Sequence, residues 1–213
     1  MTRPRILVAD DHRIVAEGLR SLLEPAFELV EIVEDGRQLV DAARRLSPDV
    51  IVADITMPQL NGLDAVEQLR QAGCQAKIVF LTMHKDATYA ARALRSGASG
   101  FVLKHSASSE LVTAIRESLV GRTYVTPAIA EAVERLLASR SDGADKAKLL
   151  TRRQREILQL FAEGRSAKEV AAVLHISVRT AESHKARIMT LLGAATTSEL
   201  VLCAIRHGLI APT

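Results

Sequence analysis

Short apolar runs alternate with amphipathic stretches from the start of the chain to about residue 120. The runs Ile6–Ala9, Leu29–Val33, Val50–Ala53, Ile78–Leu81 and Gly100–Leu103 are rich in Val and Ile, a length and composition that predict buried strands. Between and after them lie Ile14–Leu23, Gly36–Leu46, Leu63–Ala72, Ala87–Ser96 and Ser109–Val120. In the first of these, Ile14, Val15, Leu19, Leu22 and Leu23 recur on one face at helical period. Gly73 and Gly97 follow two of the helices, where C-terminal caps belong. Such alternation predicts an α/β fold, a doubly wound five-stranded parallel sheet with helices on both faces.

Beyond residue 120 the pattern changes. Thr126-Pro127 opens a further helix carrying Ile129, Val133, Leu136 and Leu137, with Thr as N-cap and Pro at the first position. The polar, Gly-containing stretch Ser139–Lys148 reads as a linker. The remainder of the chain is helical: Thr151 with Gln154, Ser166 with Glu169 and Thr196 with Glu199 have capping-box spacing, and Ser177 is a simple N-cap. The expected organisation is therefore a domain over residues 1–122, a linker helix and flexible linker over 123–147, and a smaller all-α helix-turn-helix domain over 148–213.

Composition sharpens this division. Of 213 residues 48% are hydrophobic and 25% charged, an ordinary globular balance. No apolar run approaches the roughly 20 residues of a membrane span, and the N-terminal apolar run is too short for a signal peptide, so no membrane partner and a cytoplasmic location are expected. Cys74 and Cys203 lie far apart among apolar neighbours and read as reduced, packed thiols. Residues 145–213 hold 11 Lys/Arg against 6 Asp/Glu, whereas residues 1–144 hold 17 against 19. A basic tail on a slightly acidic body points to a polyanionic partner for the tail.

The chemistry gathers at the strand ends. Asp10 and Asp11 end the first strand, Asp54 the third, Thr82 the fourth and Lys104 the fifth. In a doubly wound sheet these ends share one edge, the edge at which such folds bind ligands. Two carboxylates about 4 Å apart repel by roughly 4 kcal/mol at an effective dielectric of 20. Three in one pocket therefore need cations. Lys104 supplies one charge, and an oxygen-loving divalent ion, Mg²⁺, supplies two more. A carboxylate nucleophile, an ammonium and a hydroxyl beside a metal suit phosphoryl transfer, with Asp54 the candidate nucleophile.

These residues stand in "VADDH", in the D-x-x-MP-x-x-NG run from Asp54 to Gly62, in "LTMH" and in "GASGFVLKHS". Over residues 4–122 the chain resembles the receiver domain of bacterial two-component response regulators. The resemblance implies that a sensor histidine kinase donates its phosphoryl group to Asp54. It also implies that Mg²⁺ is held by Asp11, Asp54 and the backbone carbonyl of Thr56, with Asp10 acting partly through water. Thr82 and Phe101 match a switch pair, and plain core packing is the alternative for Phe101. Thr56 and His84 match positions that tune phosphoryl lifetime; an idle, solvated His84 is the other reading.

The stretch "LTRRQREILQLFAEGRSAKEVAAVLHISVRTAESHKARIMTLLG" gives a helix-turn-helix outline. On its second helix Val178, Ala181, Ile188 and Leu192 form one face, expected in the core, and Arg179, Glu182, Ser183, Ala186 and Thr190 the other. From about residue 148 to 210 the chain resembles the LuxR-type output domain of the NarL/FixJ subfamily. Arg152, Gln154 and "TAESH" depart from the usual residues, so Glu182 stands where Lys is common. The resemblance implies double-stranded DNA as partner. Glu182, Ser183 and Ala186 would read bases, with Arg179, Thr180, His184, Lys185 and Arg187 on phosphates and Lys168 a further candidate. His184 as a packed flank residue is the alternative. The last helix, Thr197–His207, carries Leu200, Val201, Ala204 and Ile205, a core stripe or a dimer seam.

The expected function is thus a phosphorylation-controlled transcription regulator, a homodimer on activation, with RNA polymerase a further partner and no enzymatic turnover beyond its own phosphorylation and dephosphorylation. At rest the first domain either covers the recognition helix or leaves the dimer unformed. Two alternatives stay open at this point: a Mg²⁺-dependent phosphohydrolase using Asp54, and a DNA-binding regulator without phosphorylation control.

Overall fold

The computed structural model describes residues 3–138 and 150–210. Six strands, β1 (Arg5–Ala9), β2 (Glu28–Val33), β3 (Val50–Ala53), β4 (Lys77–Thr82), β5 (Gly100–Leu103) and β6 (Tyr124–Val125), form one sheet in the order β2-β1-β3-β4-β5-β6. Every pairing is parallel. The helices α1 (Arg13–Leu23), α2 (Gly36–Leu46), α3 (Gly62–Gln71), α4 (Ala87–Arg95) and α5 (Ala107–Leu119) connect the strands. The four-residue strands VIVA and GFVL are buried at every position, because helices cover both faces. Alternate residues feed two cores. Leu7, Ile51, Phe80 and Phe101 pack with Leu39, Val66 and Ala93 on one face, and Ile6, Val52, Val79 and Val102 with Leu19, Leu111 and Ile115 on the other.

The sixth strand corrects the five-strand expectation. It is only two residues long, too short to leave a pattern in the sequence. It pairs Tyr124 with Gly100 and Val125 with Phe101. Thr126 continues it by donating its N–H to the Phe101 carbonyl at 3.0 Å. The Thr126 hydroxyl accepts from Leu103 N–H at 3.1 Å and donates to Glu110 at 2.7 Å, so it ties β5 to α5. The helix α6 (Pro127–Ala138) then packs on α4, burying Ile129 and Val133 while Leu137 stays exposed. The proposed linker Ser139–Lys148 lies outside the described residues.

The helical part comprises α7 (Arg152–Ala162), α8 (Ala167–Leu174), α9 (Val178–Leu192) and α10 (Thr197–Arg206) around a core of Ile157, Leu160, Val170, Leu174, Ala181, Ile188, Leu200 and Ala204. Two capping boxes, at Thr151 and Ser166, are complete. The third is half formed. Thr196 accepts from Glu199 N–H, but the Glu199 carboxylate takes the N–H of Ala195 at 2.6 Å instead of that of Thr196. Val178, expected in the core, opens α9 on the surface and is 42% exposed.

Two close backbone approaches position the site. A Cβ on Gly62 would lie 2.0 Å from the Asp54 carbonyl oxygen, and one on Gly36 would lie 1.9 Å from that of Leu60. Gly62 N–H also donates to the Ile55 carbonyl at 2.7 Å. The loop from Asp54 to Asn61 is therefore clamped at both ends by glycines. Gly62→Ala is expected to lower stability by about 1–3 kcal/mol through forced backbone displacement. Gly18→Ala, mid-helix and with nothing within 4 Å of the new methyl, is expected to raise it by about 0.5–1 kcal/mol. Urea unfolding of the two variants checks both signs.

Candidate functional site

The carboxyl edge of the sheet brings the predicted acidic residues together. Backbone pairing runs one residue past the strands: Asp10 N–H donates to the Val33 carbonyl at 3.0 Å and Asp54 N–H to the Ala9 carbonyl at 2.9 Å. Both carboxylates thus stand on backbone fixed by the sheet. One ligand atom from each of Asp10, Asp11, His12 and Asp54 lies within 4.8 Å of the others. The Lys104 ammonium, its side chain 6% exposed, lies 2.8 Å from Asp10 Oδ2 and 2.7 Å from Asp54 Oδ2. Asp54 Oδ1 accepts from Ile55 N–H at 2.6 Å and Thr56 N–H at 3.3 Å. Thr82 is wholly buried at the end of β4, its Oγ1 accepting from His84 N–H at 3.2 Å. Phe101 is buried behind it on β5, in the core that α4 covers.

The residues fit a hard divalent cation. Asp10 Oδ2 and Asp11 Oδ1 are buried oxygens that face one ammonium and one imidazole, Lys104 and His12, at 2.8 Å each. Burial holds the Asp54 carboxyl above the ordinary carboxylate range; Lys104 acts against this and Asp10 adds to it. Burial opposes the charge on Lys104, but Asp54 and Asp10 outweigh it and hold the ammonium above the usual lysine value. One ammonium shared by two buried carboxylates, with a third beside them, leaves an excess of negative charge that an oxygen-ligated cation balances.

Sequence pattern does not mark His12, although it stands in "VADDH". Its ring Nδ1 lies 2.8 Å from Asp11 Oδ1 and 3.2 Å from Asp10 Oδ1. His84 is half-buried rather than fully solvated. Its Nε2 is hydrogen-bonded to Thr56 Oγ1 at 2.7 Å, and its ring sits 4.7 Å from that of Tyr89. Burial lowers its pKa from the ordinary histidine value, against the opposing charges of Asp54 and Asp86. A cavity of about 510 Å³ opens over Asp11, Asp54, Thr56, Thr82 and His84, and its walls include Glu163 and Ile210 from the helical part. Neither wall residue carries a sequence motif that would have marked it.

On α9 the predicted reading face is outward. Arg179, Glu182, Ser183, Ala186, Arg187 and Thr190 are exposed, while Thr180, His184 and Lys185 are half-buried. Of the two resting arrangements expected, a covered recognition helix and an unformed dimer, the first is not the one this structure shows. Lys185 Nζ lies 4.9 Å from the centre of the Phe161 ring and 3.4 Å from Thr197 Oγ1, so its stem is part of the packing between α7, α9 and α10. Lys168 is exposed on α8. Leu200 and Ala204 of α10 are core, Val201 and Ile205 half-buried and Leu202 exposed. No single described helix is long and apolar enough to cross a membrane.

The raised Asp54 pKa has a sign that stability measurements read. Between the ordinary carboxylate value and the folded-state value, the folded protein keeps a proton that the unfolded chain has lost. Stability therefore falls as pH rises through that window. At neutral pH without divalent cation Asp54 is therefore destabilising. Asp54→Asn is expected to raise the unfolding temperature at pH 7 in chelator, and Mg²⁺ to raise that of the wild type but not of the variant. Calorimetry with and without Mg²⁺ checks both.

Two sequence families match the chain: "Response regulator receiver domain" over residues 6–116 and "Bacterial regulatory proteins, luxR family" over residues 148–204. The chain is 36% identical over 210 residues to the transcriptional regulatory protein MctR of Rhizobium johnstonii, covering 97% of this chain and 95% of MctR. It is also 36% identical over 214 residues to the oxygen regulatory protein NreC of Staphylococcus aureus, covering 97% and 99%. Among solved structures, that of two RcsB dimers bound to two parallel DNAs aligns over 95% of this chain and 98% of that one, at 26% identity and a TM-score of 0.60. With an acidic pocket at the carboxyl edge of its sheet and a helix-turn-helix body behind it, the chain belongs to the two-component response regulators of NarL/FixJ type, a receiver domain joined to a LuxR-family regulatory domain.

Proposed function

We propose that the protein is a transcription regulator switched by phosphorylation of Asp54. Residues 1–122 serve as receiver, 123–147 as connector and 148–213 as DNA-binding output. The observation that carries the reading is the Asp10–Asp11–Asp54 cluster spanned by Lys104, in a chain whose α9 reading face is exposed. Asp54 Oδ attacks the phosphorus of a phosphohistidine on the sensor kinase; the new P–O bond forms as the P–N bond breaks and the imidazole leaves. Lys104 moves from the two carboxylates towards a phosphoryl oxygen, and the Thr82 hydroxyl donates to another. Phe101 is already wholly buried on the same face of the sheet, so it backs Thr82 as core packing. Mg²⁺, held by Asp10, Asp11, Asp54 and the Thr56 carbonyl, would neutralise charge on the phosphoryl oxygens. The chemistry ends at phosphorylation and dephosphorylation of the chain itself.

A dimer would present two α9 helices to an inverted repeat in double-stranded DNA. Glu182, Ser183 and Ala186 face bases, and Glu182 is suited to accept from cytosine N4. Arg179, Thr180, His184, Arg187 and Lys168 face phosphates. Lys185 reaches phosphate only by leaving its seat on Phe161. As a response regulator the protein would act in the cytoplasm, with RNA polymerase the downstream partner that its family role implies.

Asp54→Ala is expected to abolish acyl-phosphate labelling by a small phosphodonor; normal labelling would reject the site. Arg179→Ala is expected to weaken DNA binding across sequences and to reduce the salt slope by about 1. Binding titrations at several salt concentrations check this, and an unchanged slope would exclude a phosphate contact there.

A further inference from the structure

His12 stands at the N-cap of α1, and its carbonyl accepts the N–H of Ala16 at 2.9 Å. Its ring makes no capping bond to the first turn, the work that Ser, Thr, Asp or Asn does at this position in most helices. The ring turns back over the carboxylates instead. Nδ1 lies 2.8 Å from Asp11 Oδ1 and 3.2 Å from Asp10 Oδ1. The His12 N–H donates to that same Asp10 oxygen at 2.9 Å, which fixes the turn from Asp10 to His12. Lys104 takes the other oxygen, Asp10 Oδ2, at 2.8 Å. The ammonium and the imidazole therefore do not compete for one atom of the buried carboxylate.

These separations are those of a coordination shell. Two neighbouring ligands of an octahedral ion, each about 2.1 Å from it, lie about 3.0 Å apart. Nδ1 meets both aspartate oxygens near that spacing, so three consecutive residues outline one face of an octahedron. One ligand atom of Asp54 joins them, all four lying within 4.8 Å of one another. Opposite ligands of such an ion are about 4.2 Å apart, so a small movement of side chains gathers the set. The His12 side chain is 62% exposed and that of Asp10 1%, which places the imidazole on the solvent side of the ion. The cavity over Asp11, His12, Asp54 and Thr56 leaves room for water in the remaining positions. Three carboxylates alone suit Mg²⁺, which prefers oxygen and keeps much of its water. An imidazole among them suits zinc and its first-row neighbours.

We propose that His12 is a ligand of the ion in the receiver pocket, and that it gives the pocket a preference for a first-row transition dication of the Zn²⁺ or Co²⁺ kind over Mg²⁺. This deepens the reading of the acidic edge as a metal site and rests on it. Asp10, Asp11 and Asp54 supply the negative charge that any dication needs, whereas the imidazole contributes only to an ion that accepts nitrogen. The rival arrangement has the opposite consequence. An imidazolium paired with Asp10 and Asp11 would stand in the ion's place, and its removal would favour every dication alike.

The test uses the full chain with the chlorides of Zn²⁺, Co²⁺ and Mg²⁺ as probes. Calorimetry reads the affinity of each ion. Proton NMR of the Co²⁺ complex reads the hyperfine-shifted, exchangeable ring N–H that an ion-bound histidine gives. The wild type is expected to show that resonance. His12→Ala is expected to lose it, to bind Zn²⁺ and Co²⁺ about tenfold more weakly or worse, and to bind Mg²⁺ within about threefold of the wild type. His12→Gln, which offers an amide oxygen at similar reach, is expected to match His12→Ala for Zn²⁺ and Co²⁺. An equal change for all three ions, a gain for all three, or no change overturns His12 as a selective ligand and leaves the metal site intact. So does a wild-type Co²⁺ complex without the resonance, or a resonance that persists in His12→Ala. Failure of the wild type to bind any of the three ions would instead overturn the metal-site reading itself.

Discussion

Three carboxylates at the carboxyl edge of one sheet cannot coexist without positive charge, and this constraint organises the rest of the molecule. Lys104 meets part of it by spanning Asp10 and Asp54 from the end of β5. What remains is an excess of negative charge, three carboxylates around one ammonium. Such a pocket gives up stability for readiness. Asp54 is held above its ordinary pKa by burial, so its ionised form becomes favourable when a cation arrives. The receiver is therefore a site whose charge balance is completed from outside.

The same pocket reaches outward through backbone. Asp54 begins a loop whose carbonyls and N–H groups face Gly36, Gly62 and the Gln159 side chain. Few atoms separate the reacting carboxylate from the output body, and most of them are peptide groups held at hydrogen-bond distance. A mechanical connection so short does not require a change spread through the sheet. Thr82 and Phe101 are buried on the face of the sheet that α4 covers, and both α6 and the Gly208 turn rest on α4.

The polarity of the contact matters for its use. An apolar junction of this extent would fuse the two bodies into one. Arg155 with Asp64 and Glu67, and Gln159 with Met57 and Asn61, give geometric definition at small net energy. That combination gives a contact that is specific without being a fused apolar core.

The alternation of strands and helices and the acidic constellation were legible from sequence because each depends on local pattern. Buried strands read as Val/Ile runs, and a residue just past a strand end must lie at the sheet edge, whatever else the chain does. The reading face of α9 was legible for the same reason, since helical period alone separates Ala181, Ile188 and Leu192 from Arg179, Glu182 and Ser183. The strand β6, the engagement of His84 with Thr56 and Tyr89, and the seat of Lys185 on Phe161 were not. Nor was the partner of α7: Gln159 and Met57 are 102 residues apart, and no period or spacing links them. Local pattern records which faces of an element are apolar. Which polar face meets which depends on pairs of hydrogen bonds of small net energy, and only the tertiary arrangement selects among them.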